Sequence, residues 1–96
     1  TMHERKKVMF MNSHAIVVLP GGAGSLDELF EVLTWRQLGL HEKPIFLVNT
    51  NGYWDPFMSL MNHVVAHGFA DATLLNYVTV VADADAALSA LRRALS

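Results

Sequence analysis

The sequence predicts an α/β fold in which a parallel sheet carries helices on its faces. Three short apolar runs, rich in β-branched residues, have the pattern of buried strands, and a segment with apolar residues at helical spacing follows each of them. Strands that alternate with helices are joined by right-handed crossovers, which make the strands parallel. Three strands are few for such a sheet, since a doubly wound domain usually has about five or six.

A helix end and a strand are predicted first along the chain. The segment Met2–Met11 is rich in helix formers, which predicts the end of a helix. Residues 15–19 form a continuous apolar run, which predicts a strand that is covered on both faces. Pro20 and Gly21 then end that strand.

The first complete helix is predicted from Ser25 to about Gly39. Ser25 and Glu28 have the spacing of a capping box, in which two side chains pair with backbone N–H groups at the start of a helix. About four helical turns follow, with Gly39 as the C-terminal stop. Val32 and Trp35 widen the apolar stripe, so this helix is expected to pack on its own sheet and on a neighbouring subunit. The regularly spaced apolar positions are Leu26, Leu29, Phe30, Leu33 and Leu38.

A second strand and helix follow. The apolar run Ile45–Val48 predicts a buried strand. Asp55 is the expected N-cap of the next helix, because Pro56 suits the first helical turn. This helix is predicted to run to about His67, where Gly68 ends it.

The last unit is again a strand and a helix. The β-branched run Tyr77–Val81 predicts the third strand. Asp83 or Asp85 is expected to cap a final helix whose apolar residues lie three and four positions apart. They are Leu88, Leu91 and Leu95.

Composition limits the function. A chain of 96 residues forms one domain at most, and one of this size buries only about 60–65% of the surface that it exposes when unfolded. Its 52% hydrophobic and 17% charged residues indicate burial against a partner chain. The net charge of −2 argues against nucleic-acid binding, and the longest uncharged stretch is too short for a membrane span. Without cysteine there is no disulfide or thiolate site, which favours a reducing compartment.

The most informative segment is the glycine-rich stretch between the first strand and the first complete helix. Such a turn presents unpaired backbone N–H groups and the positive end of the helix dipole, which suits a phosphate group. Its glycines allow close approach and positive φ angles, and the Ser25 hydroxyl can donate a further hydrogen bond. The spacing matches neither the dinucleotide-binding motif nor the P-loop, which argues against NAD and ATP.

A purely structural interpretation of this turn stays open, in which small residues allow a tight turn and Ser25 and Glu28 only cap the helix. Against it, four of the five residues in Pro20–Gly24 are proline or glycine. Asp27 and Glu28 also place two carboxylates near the turn, where they would repel phosphate unless they served another part of the ligand.

Several motifs together resemble the Lonely guy (LOG) family of cytokinin riboside 5′-monophosphate phosphoribohydrolases. The family pattern is Met-x-x-Arg-Lys followed by Pro-Gly-Gly-x-Gly-Thr-x-x-Glu, and this chain departs from it only by Ser25 in place of threonine. The hydroxyl group is retained, so phosphate binding is still expected. The similar segments are residues 2–6, 20–28, 34–39, 42–44 and 51–56.

The resemblance implies a Rossmann-like α/β fold, with a parallel sheet and helices on both faces. Family members begin with a strand and a Gly-Gly-Gly loop that this sequence lacks, so residues 1–96 are expected to be the C-terminal half of a doubly wound nucleotide-binding domain. Family members form dimers through helices, so we expect a homodimer or larger homo-oligomer. A cytoplasmic location is the corresponding expectation.

By the same resemblance, Arg5 and Glu28 match the catalytic pair. The reaction implied is hydrolysis of the N-glycosidic bond of an N6-substituted adenosine 5′-monophosphate, which releases the base and ribose 5-phosphate. Positive charge develops on the ribose, so the Glu28 carboxylate would stabilise the transition state or orient water, and Arg5 would hold phosphate or ribose oxygens. The matching substrate-binding residues are Met2, Lys6, Pro20, Gly21, Gly22, Gly24 and Ser25.

Three other functions are alternatives to hydrolysis: lysine decarboxylation, nucleotide binding without catalysis, and no activity in a fragment. The family is often described as possible lysine decarboxylases, but that chemistry normally needs pyridoxal phosphate on a desolvated lysine, and two of the three lysines lie beside Arg5. A non-catalytic nucleotide-binding module and an inert fragment of the enzyme are the remaining alternatives. His63 and His67 have a metal-binding spacing without an evident third ligand, so no metal or cofactor is expected.

Overall fold

The computed structural model describes residues 9–11 and 14–95. Two 3₁₀ helices, Thr50–Gly52 and Ala72–Tyr77, lie in the connections before the second helix and before the last strand. The strands and helices are, in chain order, β1 (Met9–Met11), β2 (Ile16–Val18), α1 (Ala23–Gln37), β3 (Ile45–Val48), α2 (Asp55–Ala66), β4 (Val78–Val81) and α3 (Ala84–Leu95).

The described strands form one sheet in the order β1-β2-β3-β4. The three strands β2, β3 and β4 are parallel, as predicted, and their register pairs Val17 with Phe46 and Phe46 with Thr79. Strand β1 is antiparallel to β2. The prediction of a helix over Met2–Met11 is therefore wrong for Met9–Met11, since pairing with the edge of β2 outweighs the helix propensity of these residues. Residues 2–8 lie outside the described part.

Helices cover both faces of the sheet, which confirms the predicted α/β architecture. On one face, strand residues such as Ile16 and Leu47 pack against Leu29 of α1 and Phe57 of α2. On the other face, alternate strand residues pack against α3; this second core consists of Ala15, Phe46, Val48, Val81, Ala87 and Ala90. Burial on both faces explains why the strands are continuous apolar runs rather than alternating ones.

Helix α1 begins two residues earlier than predicted. Its N-cap is Gly22, which makes no side-chain cap, and the N–H of Leu26 donates to the Gly22 carbonyl at 3.0 Å. Ser25 is therefore the third helical residue, and the predicted capping box with Glu28 is wrong. The glycine turn supplies the first helical carbonyl itself. The C-terminal prediction holds, because Gly39 follows the helix with a φ of +77°.

The other helix ends follow the predicted signals in most respects. Asp55 is the first residue of α2 rather than its N-cap, which is Trp54, and Pro56 lies in the first turn as expected. Gly68 ends that helix with a φ of +80°. Asp83 caps α3, where its Oδ1 accepts from the N–H of Ala86 at 2.8 Å. No helix among the described residues is both long enough and apolar enough to cross a bilayer.

Candidate functional site

The candidate site lies where β2 and β3 end. The residues between β2 and the first turn of α1, Pro20–Ser25, are called the glycine turn below; residues 49–54 between β3 and α2 are called the 49–54 loop. Because β2 and β3 are adjacent and parallel, the two segments emerge at the same edge of the sheet. In open parallel sheets this edge is where ligands bind.

In the part of the chain that the structure describes, the backbone N–H groups of the glycine turn have no hydrogen-bond acceptor. Within the described residues, no hydrogen bond takes its donor from Gly21 to Ser25, and the N–H of Leu26 is the first that α1 uses. The unpaired N–H groups at a helix start carry the positive end of the helix dipole. The turn therefore has the donors that a phosphate group requires.

The space in front of Gly22 is open. A Cβ atom built on Gly22 would have no heavy atom within 4 Å. The expectation that the glycines adopt positive φ is wrong at Gly22, whose φ is −99°, and Gly24 lies inside α1. The backbone conformation of Gly22 therefore does not require glycine, and the open space beside it leaves room for a ligand to approach closely.

Ser25 carries the most unusual polar group of the turn. The residue is only 5% exposed, and its Oγ has no hydrogen-bond partner among the described residues. An unpaired buried hydroxyl is unfavourable, so native proteins rarely keep one without a reason. A ligand oxygen at the turn would provide the missing partner.

Glu28 lies about 4.5 Å further along the axis of α1 than Ser25. Glu28 is exposed. It follows Gly24 by four residues and Ser25 by three, so it lies on the same face of α1 as these two residues of the turn. The predicted partners Arg5, Met2 and Lys6 lie outside the described residues. The structure therefore places one half of the predicted catalytic pair beside the turn and does not describe the other.

Sequence reasoning missed a contact between the two segments. The hydroxyl of Tyr53, in the 49–54 loop, donates a hydrogen bond to the carbonyl of Gly21. Beside this contact lies an open cavity of about 340 Å³ whose walls are apolar and aromatic, formed by Leu26, Phe30, Tyr53, Trp54, Pro56, Phe57 and Leu60. The sequence signal was the Asn51–Gly52 turn before two aromatic residues, in a segment that resembles the family but from which no site residue was predicted.

Two other features that the sequence singled out, the histidine pair of α2 and the wide apolar stripe of α1, have less structural support as functional sites. The rings of His63 and His67 lie 4.1 Å apart between centroids, but no group of three or more His, Cys, Asp or Glu side chains able to hold a metal occurs among the described residues. Val32 is buried against the sheet as expected, whereas Trp35 is 39% exposed. Packing within the chain therefore covers only part of the Trp35 side chain.

Comparison with known proteins finds a matching family model and similar proteins of known name. A family model described as "Possible lysine decarboxylase" matches residues 1–91. The chain is 43% identical over 91 residues to a cytokinin riboside 5′-monophosphate phosphoribohydrolase of Rhodococcoides fascians, covering 95% of this chain and 46% of that protein. It is 52% identical over 68 residues to the cytokinin riboside 5′-monophosphate phosphoribohydrolase LOG of Oryza sativa subsp. japonica, covering 71% and 28%. The chain thus spans less than half the length of these relatives.

Proposed function

We propose that this chain, which belongs to the family described as "Possible lysine decarboxylase", is part of a phosphoribohydrolase. The reaction is hydrolysis of the N-glycosidic bond of an adenosine 5′-monophosphate, with or without an N6 substituent. The products are the free base and ribose 5-phosphate. The chain supplies the residues that bind the phosphate, and a preceding half contributes further contacts to the rest of the nucleotide.

The observation that carries the proposal is the unpaired set of donors in the glycine turn. The N–H groups from Gly21 to Ser25 have no acceptor among the described residues, and the buried Ser25 hydroxyl has no partner there. The Cβ position of Gly22, next to these donors in the chain, is open. A 5′-phosphate has the charge and the number of oxygens to satisfy them.

Glu28 is suited to the next step of the reaction. Cleavage of the glycosidic bond develops positive charge on the ribose, and a carboxylate near the sugar stabilises that charge or orients the attacking water. With the phosphate seated on the glycine turn, the ribose lies within reach of a residue one helical turn further on. Arg5 serves as the second catalytic residue, by donating to phosphate or ribose oxygens.

The description of the family also names lysine decarboxylation. Lys43 is the one lysine that the structure describes, and it precedes β3, so it lies at the edge of the sheet where the parallel strands begin. The glycine turn lies at the opposite edge. Lys43 therefore cannot act on a ligand held by the turn.

Exposed apolar side chains in the second half of α1 and just after it support a homodimer or larger homo-oligomer. Phe30, Trp35, Leu38 and Leu40 are all substantially exposed, although large apolar side chains are usually buried. Size-exclusion chromatography with light scattering tests this assembly. A stable monomer at micromolar concentration contradicts it.

The nucleotide site is tested by titrating the ¹⁵N-labelled chain with AMP and with adenosine. AMP is expected to shift the amide signals of Gly21 to Ser25, whereas adenosine, which lacks the phosphate, is expected to leave them in place. Equal shifts with the two compounds, or shifts confined to other residues, contradict the proposal. Release of free base from AMP and from isopentenyl-AMP, measured by chromatography on the longer protein that carries this chain, then tests the reaction.

A further inference from the structure

Tyr53 links the 49–54 loop to the glycine turn. Its hydroxyl donates to the carbonyl of Gly21, which lies 32 residues earlier in the chain. This is the one side-chain hydrogen bond that the glycine turn accepts among the described residues. The position of the Gly21 peptide therefore depends on the position of Tyr53.

The ring of Tyr53 is itself held in place. It packs edge-on against Trp54, with ring centroids 5.0 Å apart and planes at 88°. Trp54 is only 1% exposed, and it packs in turn on Phe57 of α2 at 5.6 Å. A ring fixed to a buried tryptophan presents its hydroxyl in a defined direction.

The backbone of the 49–54 loop is equally constrained. Asn49 accepts at its Oδ1 from the N–H of Trp54 at 2.6 Å, and its own N–H donates to the Val81 carbonyl at the end of β4, at 2.8 Å. Asn51 and Gly52 both have positive φ, at +53° and +73°, which turns the chain sharply before Tyr53. The loop is thus tied to the sheet and to α2, and it forms a firm base for Tyr53.

The hydrogen bond to Gly21 has a direct consequence for the next residue. The carbonyl of Gly21 and the N–H of Gly22 belong to one planar trans peptide, in which they point in opposite directions. When the Tyr53 hydroxyl holds the carbonyl, the N–H of Gly22 is aimed away from the 49–54 loop. That N–H is one of the turn's donors for which residues 9–11 and 14–95 provide no acceptor.

We infer that Tyr53 is a positioning residue, which acts through the Gly21 peptide to aim the Gly22 N–H at the phosphate of a bound nucleotide. The inference rests on the proposed function, because it assumes that the glycine turn binds that phosphate. Without this hydrogen bond, a turn of two successive glycines has many accessible conformations, and ordering it would reduce the binding affinity.

The test compares Tyr53→Phe with wild type, since phenylalanine keeps the ring on Trp54 and removes only the hydroxyl. Tyr77→Phe is the matched control: its hydroxyl makes no hydrogen bond among the described residues, and its ring, which lies 4.8 Å from the Arg36 guanidinium carbon, is kept. All measurements are made at a temperature at which each variant is fully folded by circular dichroism.

Two readouts are expected to change in Tyr53→Phe and not in the control. ¹⁵N relaxation of the ligand-free chain should show increased mobility at Gly21 and Gly22, and AMP binding should weaken by about threefold to tenfold, as for loss of one hydrogen bond. A residue that only stabilised the fold would lower the melting temperature and leave both unchanged in the folded state.

The outcomes separate the two proposals. Equal AMP affinity and equal turn mobility in Tyr53→Phe and wild type overturn the role of Tyr53 and leave the nucleotide site intact. Failure of the wild-type chain to bind AMP overturns the nucleotide site, and with it the role of Tyr53 in binding. In that case the mobility of Gly22 still shows whether the hydroxyl orders the turn.

Discussion

Replacing Ser25 with alanine is expected to stabilise the ligand-free chain and to weaken its binding of AMP. The side chain is buried, and its Oγ has no hydrogen-bond partner among the described residues. A buried hydroxyl without a partner costs about 1–3 kcal/mol, and alanine adds roughly 0.5 kcal/mol of helix propensity. Some packing is lost with the oxygen, so we expect a net gain of about 1 kcal/mol in the free energy of unfolding.

The gain is measurable by thermal and urea unfolding. For a domain of this size, 1 kcal/mol raises the melting temperature by about 4–8 °C. Ser59→Ala is the matched control, because Ser59 is exposed on α2 and gains only the helix-propensity contribution. If Ser25→Ala is no more stable than Ser59→Ala, the Ser25 hydroxyl has a partner and the argument from its burial is wrong.

The same substitution is expected to raise stability but to lower the affinity for AMP. A hydrogen bond to a charged phosphate contributes about 1.5–3 kcal/mol, so Ser25→Ala is expected to weaken AMP binding by at least about tenfold. Ser25→Thr keeps the hydroxyl and is expected to retain binding. A variant that is more stable but binds more weakly shows that the serine is kept for its ligand rather than for the fold.

Three further changes test the site and the fold. In a protein that joins this chain to the preceding half proposed above, Glu28→Gln should abolish base release while AMP still binds; turnover that persists removes Glu28 from the mechanism. Gly52→Ala should cost more stability than Gly39→Ala in urea unfolding. Alanine at either positive φ costs about 1–2 kcal/mol, and at Gly52 the new Cβ would also lie 2.9 Å from Oδ2 of Asp55, a carboxylate that Asn49 holds by a hydrogen bond; equal losses contradict this clash. Asp71 has a pKa lowered from its ordinary 3.8 by a backbone N–H donor, so it adds stability above that pH that disappears as the pH falls. Asp71→Asn should therefore flatten the acid limb of the unfolding profile, and an unchanged profile contradicts this assignment.

The parts of the fold that local sequence determines were predicted well. Strand β3 occupies Ile45–Val48 as predicted, because a continuous run of large apolar residues can be buried only between two layers. Gly39 and Gly68 end their helices with positive φ, a conformation that other residues adopt at a cost. The ends of α1 and α2 are thus each determined by one residue.

The errors arose where two signals competed. Met9–Met11 has helix propensity, but pairing with β2 decides its conformation. Ser25 and Glu28 have the capping spacing, yet Gly22 supplies the first helical carbonyl, and the helix starts before the serine. In the site, the glycine turn was predicted from its position after a strand. Its contact with Tyr53 was not predicted, because a hydrogen bond between residues 32 apart has no local signal.

The register between β2 and β3 sets the position of the 49–54 loop relative to the glycine turn. Val18 of β2 lies opposite Leu47 of β3, and both are fully buried, so the register is fixed by the core. A slip of one residue would bring the opposite face of the strand into the core, and it would shift the start of the 49–54 loop by about 3.3 Å relative to the glycine turn. The hydroxyl of Tyr53 would then miss the Gly21 carbonyl. The direction of the Gly22 N–H is therefore set by the packing of the sheet, and substitutions that loosen the pair of strands are expected to weaken AMP binding before they unfold the chain.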